Sequence, residues 1–309
     1  MQAQAPPVHA RLRLTPGPAP TYAVAMRLGT VAKLWRYPVK SMGGEDLSSA
    51  SLTWRGIPGD RGWAPHDETR GGISGAKRLP MLRNCSARYL SEPVAGAASP
   101  PAEIRFPDGA TAVSDSPEAA RALAALCGRP VMLHGLGPAG TDTAPRITFQ
   151  SESPERQQEL MGLLPDEPMP DFSEFPPERL LVLRQGNFFD ALPLHLLTRT
   201  TLRTLARIAP ESDWQERRFR ANLIIETDDA DGYPELSWLK RRVRVGGAVI
   251  EVAAGCPRCV LVTQSVDELP TDHRIMRTLV RETQHIVGVY ASVVEEGEVR
   301  VGDVVEWAR

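Results

Sequence analysis

The sequence predicts an α+β fold rich in β structure, built as a barrel or a sandwich. Three observations predict it. Short strand-like apolar runs recur along the chain with glycine turns between them, as in VRVGGAVIEV and VRVGDVVEW. Clear helices are too few to cover both faces of a doubly wound parallel sheet. The length of 309 residues is that of about two domains, enough to bury a core without disulfide or metal support.

Residues 1–25 hold five prolines and no acid, a composition expected to stay disordered. The segment lacks the apolar centre of a signal peptide. Strand character starts near Met26 and runs to Leu34. YPVKSMGGE (37–45) is a proline–glycine turn. Residues 48–54 read as a second strand, and RGIPGDRGWA (55–64) as a turn into a strand around Trp63. A glycine-rich loop, TRGGISGAK (69–77), precedes short strands at 86–90, 103–106 and 111–113. Ser116-Pro117 caps a helix that ends at Gly128. Residues 150–179, with eight acids and six prolines, read as an irregular connection between two halves, 26–149 and 180–309.

In the second half, apolar runs at 180–183 and LPLHLL (192–197) lead to the best helical pattern, TRTTLRTLARIAP (198–210). Thr198 or Thr200 can cap it, Leu202, Leu205 and Ile208/Ala209 form one apolar face, and Pro210 stops it. ANLIIE (221–226) is a buried strand, and RVRVGGAVIEVA (242–253) is a hairpin on a Gly-Gly turn. CVLVTQSV (259–266) reads as a strand and HRIMRTLVRE (273–282) as helical or irregular. IVGVYASVV (286–294) and VRVGDVVEW (299–307) close the chain as strands, the latter as a second hairpin of the same turn chemistry.

Composition narrows the function. Hydrophobic residues make up 42% and charged residues 24%, as in ordinary globular proteins. A net charge of −2 argues against a dedicated nucleic-acid binder. No apolar run is long enough to span a membrane. Four cysteines (Cys85, Cys127, Cys256 and Cys259) are too few for a secreted disulfide scaffold, so a reducing, cytoplasmic setting is expected. Only Lys33, Lys40, Lys77 and Lys240 are lysines among 36 basic residues, so each lysine draws attention.

The sharpest chemical feature is GCPRC, Gly255 to Cys259. A structural zinc site would need two more ligands. A redox CPxC would open a helix whose N-terminus lowers the thiol pKa, whereas β-branched residues follow here. Two half-buried structural cysteines are a third reading. The fourth is one cysteinate on a soft metal or cofactor, with Arg258 balancing its charge. Other segments supply anion-binding chemistry. Lys40 and Ser41 lie in the YPVKS turn, where backbone N–H groups point outward. Arg61 lies at a turn-to-strand edge, and Arg220 and Asn222 share one side of an entering strand. Thr198, Arg199, Thr200 and Thr201 open a helix whose free N–H groups suit phosphate. Each feature also has a plain structural reading, as a solvated turn, a local ion pair or ordinary capping. Together they make a thiolate beside an anion cradle, which fits a phosphate-bearing cofactor with a soft metal.

VAKLWRYPVKSMGG, GDRGWA and SGAKRLPML, followed by FFDALPLHLLT, FRANLII, GCPRCVLVTQSVD and VRVGDVVEW, resemble the MOSC family in this order. The resemblance spans residue 26 to residue 309. It is nearest to the amidoxime-reducing branch, which carries an extra N-terminal domain. It implies a MOSC-type β-barrel domain with a smaller, β-rich N-terminal MOSC domain. It also implies a molybdenum cofactor (Mo-molybdopterin), with Cys256 as the metal ligand. Lys40, Ser41, Arg61, Arg220, Asn222 and the residues from Thr198 to Thr201 would hold the pterin phosphate, with Arg258 and Thr263 as further cofactor-binding residues. The chain departs from the family pattern at Ala221, often proline, and at Gln264, often the second of two threonines. The implied reaction is reduction of N-hydroxylated compounds such as hydroxylamines and amidoximes. No cysteine follows Cys259, so electrons are expected from a separate donor protein of ferredoxin, flavoprotein or cytochrome type. Sulfur transfer through a cysteine persulfide and non-catalytic carriage of the cofactor are the alternatives.

Overall fold

A computed structural model describes residues 26–139, 141, 147, 152–173, 175 and 188–308. The expectations for 1–25 and 180–183 lie outside the described residues. In chain order the strands of the first half are β1 (Arg27–Arg36), β2 (Glu45–Leu47), β3 (Ser49–Leu52), β4 (Trp63–Asp67), β5 (Gly72–Ile73), β6 (Ser86–Tyr89), β7 (Ala102–Arg105), β8 (Thr111–Val113) and β9 (Val131–Gly135). Those of the second are β10 (Leu194–Thr198), β11 (Leu223–Glu226), β12 (Arg242–Val245), β13 (Ala248–Pro257), β14 (Ile286–Glu295), β15 (Gly297–Arg300) and β16 (Val304–Trp307). The described helices are α1 (Pro117–Cys127), α2 (Pro154–Met161), α3 (Arg199–Ile208) and α4 (Arg274–Thr283).

Seven strands close a barrel in the order β11-β10-β14-β13-β12-β16-β1, with β1 pairing back onto β11. The barrel takes β1 from the start of the described chain and its other six strands from residue 194 onward. The β10–β11 pair is parallel. A parallel pair needs a crossover, and α3 supplies it. Alternate strand residues fill the interior: Leu194 and Leu196, Leu223 and Ile225, Val243 and Val245, Ile250 and Val252, Val289 and Ala291. Each leucine, isoleucine or valine among them removed from water stabilises the fold by about 1.5–3 kcal/mol. The opposite face, through Leu197, Ile224 and Val287, packs on Leu205 of α3 and on Ile275, Met276 and Leu279 of α4. Of the remaining strands, β2 extends the sheet from β1 and β3 pairs with β15, while β5-β4-β9 and β6-β7-β8 form two sheets that, with α1, surround a second core of Trp63, Leu82, Ile104 and Leu123. The sequence-predicted class, α+β and β-rich with a barrel, is what the chain adopts.

Several local expectations are corrected. Residues 259–266 are not a strand: Val260–Thr263 form a 3-10 turn, and Val262 packs with α4 rather than into a ladder. VRVGDVVEW is not a hairpin, because β15 pairs with β3 while β16 pairs with β1 and β12. The acidic connection contains α2, capped by the Ser153 side chain. Helix α3 buries Thr200, Thr201, Thr204 and Leu205, and leaves Ile208 exposed. Its inner face is therefore largely hydroxyl.

Candidate functional site

Cys256 lies at the end of β13, fully buried. The β13–β14 register shifts between Gly255 and Pro257, because Gly255 opposes Val289 while Pro257 opposes Ile286. The extra residue falls on β14, where Gly288 adopts a positive φ of 75°. Bulges of this kind re-aim side chains. A Cβ at Gly288 would lie 2.3 Å from His195 Nε2, so glycine here makes room for the imidazole. At Gly255 a Cβ would meet the Ile286 side chain at 2.6 Å. Glycine there serves strand packing.

Three neighbouring strands converge on the thiol. Tyr290 of β14 pairs in register with both His195 of β10 and Ala254 of β13, and its ring lies 5.7 Å from that of His195. Arg258 Nη1 donates to Cys256 Sγ at 2.8 Å and faces His195 Nε2 at 3.4 Å, while Nη2 donates to the Phe219 carbonyl at 2.7 Å. Burial pushes the Cys256 thiol up, with Arg258 opposing. Burial and the neighbouring Cys256 push the Tyr290 phenol well up. Burial, Arg258 and Arg61 hold His195 well below the ordinary histidine range. The imidazole is therefore neutral near pH 7.

A second group gathers around Tyr37, which follows β1. The Arg220 and Arg61 guanidinium carbons lie 4.2 Å and 4.6 Å from the Tyr37 ring centre. Arg61 donates to Asn222 Oδ1 at 3.3 Å and to the Arg220 carbonyl at 3.2 Å, and pairs with Asp60. Asn222 ties the group to the barrel, since its amide donates to Asp60 and to the Trp35 carbonyl and accepts from His195 N–H. Lys40 reaches Asp190 at 2.5 Å and the Phe188 carbonyl at 2.9 Å. Ser41 Oγ accepts from Ala76 N–H at 2.8 Å. Ser41, Arg61 and Arg220 all have positive φ, three of the seven such non-glycine residues among those described. Strain of this sort collects at functional positions. Arg220 is therefore not on a regular strand face, as its alternation with Asn222 implied; β11 begins only at Leu223.

Burial with few acceptors sets the electrostatics here. Among the described residues, Arg220 Nη1, Arg258 Nε, and Arg83 Nε and Nη1 are buried with no hydrogen-bond partner. Burial, Arg61 and Arg83 hold the Arg220 pKa well below the usual arginine value. Burial likewise lowers Arg83 to about 10 and raises Tyr37 to about 12. The orphaned Arg258 donor beside the buried thiol, with the idle Arg220 donor at Tyr37, fits an anionic, thiol-ligated group.

Other residues singled out in the sequence are engaged elsewhere. Thr198 and Thr201 hydroxyls donate to buried Glu235 at 2.6 Å and 2.7 Å, and Thr200 meets Thr227 at 2.9 Å. A carboxylate of the chain itself thus stands at this helix end. Arg199 pairs with Glu226 at 3.5 Å. Thr263 Oγ1 donates to the Val260 carbonyl at 2.8 Å, closing its own turn. Among the described residues no three His, Cys, Asp or Glu side chains form a metal cluster, which leaves the zinc reading without ligands. No helix among them is long and apolar enough to cross a membrane. Sequence reasoning missed His195, Tyr290, Tyr37 and Arg83. For Tyr37 the signal was its place in the YPVKS turn.

Residues 184–306 match the MOSC domain family, and residues 28–117 match the MOSC N-terminal beta barrel domain. The Homo sapiens protein named mitochondrial amidoxime reducing component 2 is 27% identical over 298 residues, 90% of this chain and 83% of that protein. Among solved structures, the YUAD protein from Bacillus subtilis aligns with 92% of this chain and 97% of its own, at 13% identity and a TM-score of 0.42. YiiM from Escherichia coli aligns with 40% and 58%, at 20% identity and a TM-score of 0.29. With one family match in each half, the chain belongs to the MOSC proteins that carry an N-terminal MOSC β-barrel domain.

Proposed function

We propose that the protein binds the molybdenum cofactor and reduces N-hydroxylated compounds. One observation carries the reading: the buried thiol of Cys256 is held by Arg258, whose Nε finds no acceptor among the described residues and whose Nη2 binds the Phe219 carbonyl, one residue from buried Arg220 with its own idle Nη1. A phosphate-bearing cofactor with a soft metal satisfies both, and the mitochondrial amidoxime reducing component gives the substrate class. A persulfide on Cys256 would leave the arginines unexplained, which ranks sulfur transfer below this reading.

The bound cofactor would supply two-electron redox chemistry at molybdenum. The chain's own residues would hold and tune it. Cys256 would bind the soft metal as a thiolate, and Arg258, 2.8 Å from Sγ, would stabilise that charge. Arg220, Arg61, Lys40 and Ser41 would hold the phosphate, and Asn222 fixes Arg61. Tyr290 keeps its phenolic proton and neutral His195 faces Arg258. Conversion of N–OH to N–H and water consumes two electrons and two protons, the electrons coming from a separate donor protein.

The test is molybdenum and pterin content after expression in a cofactor-competent host, followed by turnover of benzamidoxime with an artificial reductant. Stoichiometric metal with turnover is expected. Folded protein without molybdenum would overturn the reading, and metal without turnover would leave cofactor carriage.

A further inference from the structure

Residues 162–173 and Phe175 form a strap beside the thiol site. Gly162, which caps α2 with a φ of 75°, lies against the residue after Cys259: a Cβ there would stand 3.2 Å from the Val260 Cα. Arg277 of α4 pins the strap, pairing with Glu167 and donating to the Gly162 carbonyl. The first turn is also ordered from within. Glu167 N–H donates to the Leu164 carbonyl at 3.0 Å, and the Glu167 carboxylate accepts from Leu164 N–H at 2.8 Å. At the far end the Phe175 ring lies 6.1 Å from that of Phe172 and 6.0 Å from that of Tyr290. Three aromatic rings thus lead from the surface to the surroundings of Cys256. The outer side of the strap is apolar and acidic. Leu164, Met169 and Phe172 are 50%, 37% and 45% exposed, three of the thirteen large apolar side chains exposed among the described residues. Asp166 and Asp171 are exposed too, with no ion pair among the described residues, and residues 164–172 contain no lysine or arginine.

Single exposed apolar side chains are ordinary, whereas several in one segment edged by charge mark a contact surface. We infer that residues 164–172 are the docking surface for the electron donor, a redox protein with a basic rim around its exposed cofactor edge. The inference rests on the proposed function for what the partner delivers, but not for the surface or for the partner's charge. Each turnover oxidises the donor by two electrons while N–OH becomes N–H and water, with two protons taken from solvent. Position, charge and order all fit such a partner. A protein docked on Phe172 would sit over the rings that lead to Tyr290. Uncompensated Asp166 and Asp171 attract a basic rim and speed encounter. A small apolar centre with a charged edge suits a transient redox contact, which buries less than about 1,200 Å² in all. The hydrogen bonds within the turn hold the surface in shape before binding, which lowers the ordering cost.

The test uses full-length protein and, as probe, ferredoxin–NADP reductase, a flavoprotein with a basic docking face. Affinity is measured by calorimetry and association by stopped-flow flavin fluorescence, each at low and high salt. A water-soluble carbodiimide, which joins carboxylates to lysines, maps the contact. Wild type should bind the reductase, more weakly as salt rises, with Asp166 or Asp171 in the cross-linked peptides. Phe172→Ser should weaken binding about tenfold, as for a central aromatic contact. Asp166→Asn combined with Asp171→Asn should slow association at low salt and flatten its salt dependence. Asp46→Asn, an exposed acid on β2, should leave both unchanged. In loaded protein, turnover driven by the reductase should fall in Phe172→Ser, while turnover with dithionite stays at the wild-type rate. Four results would each overturn the inference: no binding by wild type, tighter binding of an acidic ferredoxin, an equal loss in Asp46→Asn, or self-association that Phe172→Ser abolishes. Binding and cross-linking need no molybdenum, so a protein that docks the reductase on the strap yet holds no metal would sink the proposed function alone.

Discussion

Two polar regions of this molecule are equally buried and differ in whether they are complete. At the start of α3, Thr198, Thr200 and Thr201 are fully buried, and Glu235 and Thr227 accept or exchange their hydrogen bonds. Around Tyr37, the Arg220 guanidinium is buried with a donor that finds no partner among the described residues. Both looked like phosphate sites in the sequence, since a threonine-rich helix start and a set of basic turn residues offer similar donors. The difference teaches that donor chemistry alone does not mark a ligand site. A closed network stabilises the fold, whereas an open one is costly until something completes it.

The comparison breaks most sharply at the thiol. Cys256→Ala should reduce molybdenum to background while the protein stays folded, because the replacement is small, apolar and sits in a buried position. Cys259→Ala should keep most of the metal, since Cys259 packs partly buried against the α3–α4 core. Elemental analysis of both variants checks this, and equal metal in wild type and Cys256→Ala would remove Cys256 as the ligand. The next effect is on the cradle. Arg220→Met should weaken cofactor retention about ten- to a hundredfold, the equivalent of 1.5–3 kcal/mol for a charge-assisted contact. Its unliganded thermal midpoint should not fall, because burial already works against this charge. Dialysis against cofactor-free buffer followed by metal analysis gives the retention.

The closed region should behave in the opposite way. Glu235→Ala leaves the Thr198 and Thr201 hydroxyls buried without their acceptor. The expected cost is roughly 2–4 kcal/mol of stability by chemical denaturation. Molybdenum per folded molecule should be unchanged. A variant that keeps its stability but loses metal would reverse the assignment of the two regions.

What the sequence made legible follows from the range of each interaction. Helix α1, the β12–β13 hairpin and the cap of α3 depend on neighbours within a few residues, and all three form as expected. The run 259–266 misled because Val260, Val262 and Thr263 favour strand locally, whereas packing of Val262 with α4 decides the outcome. In the site, Cys256, Arg61, Arg220 and Asn222 were visible because they sit in short motifs. His195 and Tyr290 were not, since only the β10–β14–β13 register brings them to the thiol.

The smallest expected effect concerns pH, and it separates the two regions by sign. Burial raises the Glu235 pKa above its ordinary value of 4.5, against the opposing hydrogen bonds from Thr198 and Thr201. A carboxyl whose folded pKa is raised binds its proton more tightly in the folded state. Its contribution to stability is therefore complete below about pH 4.5 and is lost as pH rises through the folded value. His195 runs the other way: its folded pKa is depressed, so its contribution is present above 6.5 and lost as pH falls through the folded value. Glu235→Gln removes the first titration and leaves the second. The stability of wild type relative to Glu235→Gln should thus decline as pH rises from 4.5 through the folded value, as the buried carboxyl ionises at increasing cost. Urea unfolding of both proteins across this range measures the difference directly. A difference that stays constant, or that grows in favour of wild type as pH rises, would mean that the threonine hydroxyls hold Glu235 ionised at little cost, and that this helix end is a charged site after all.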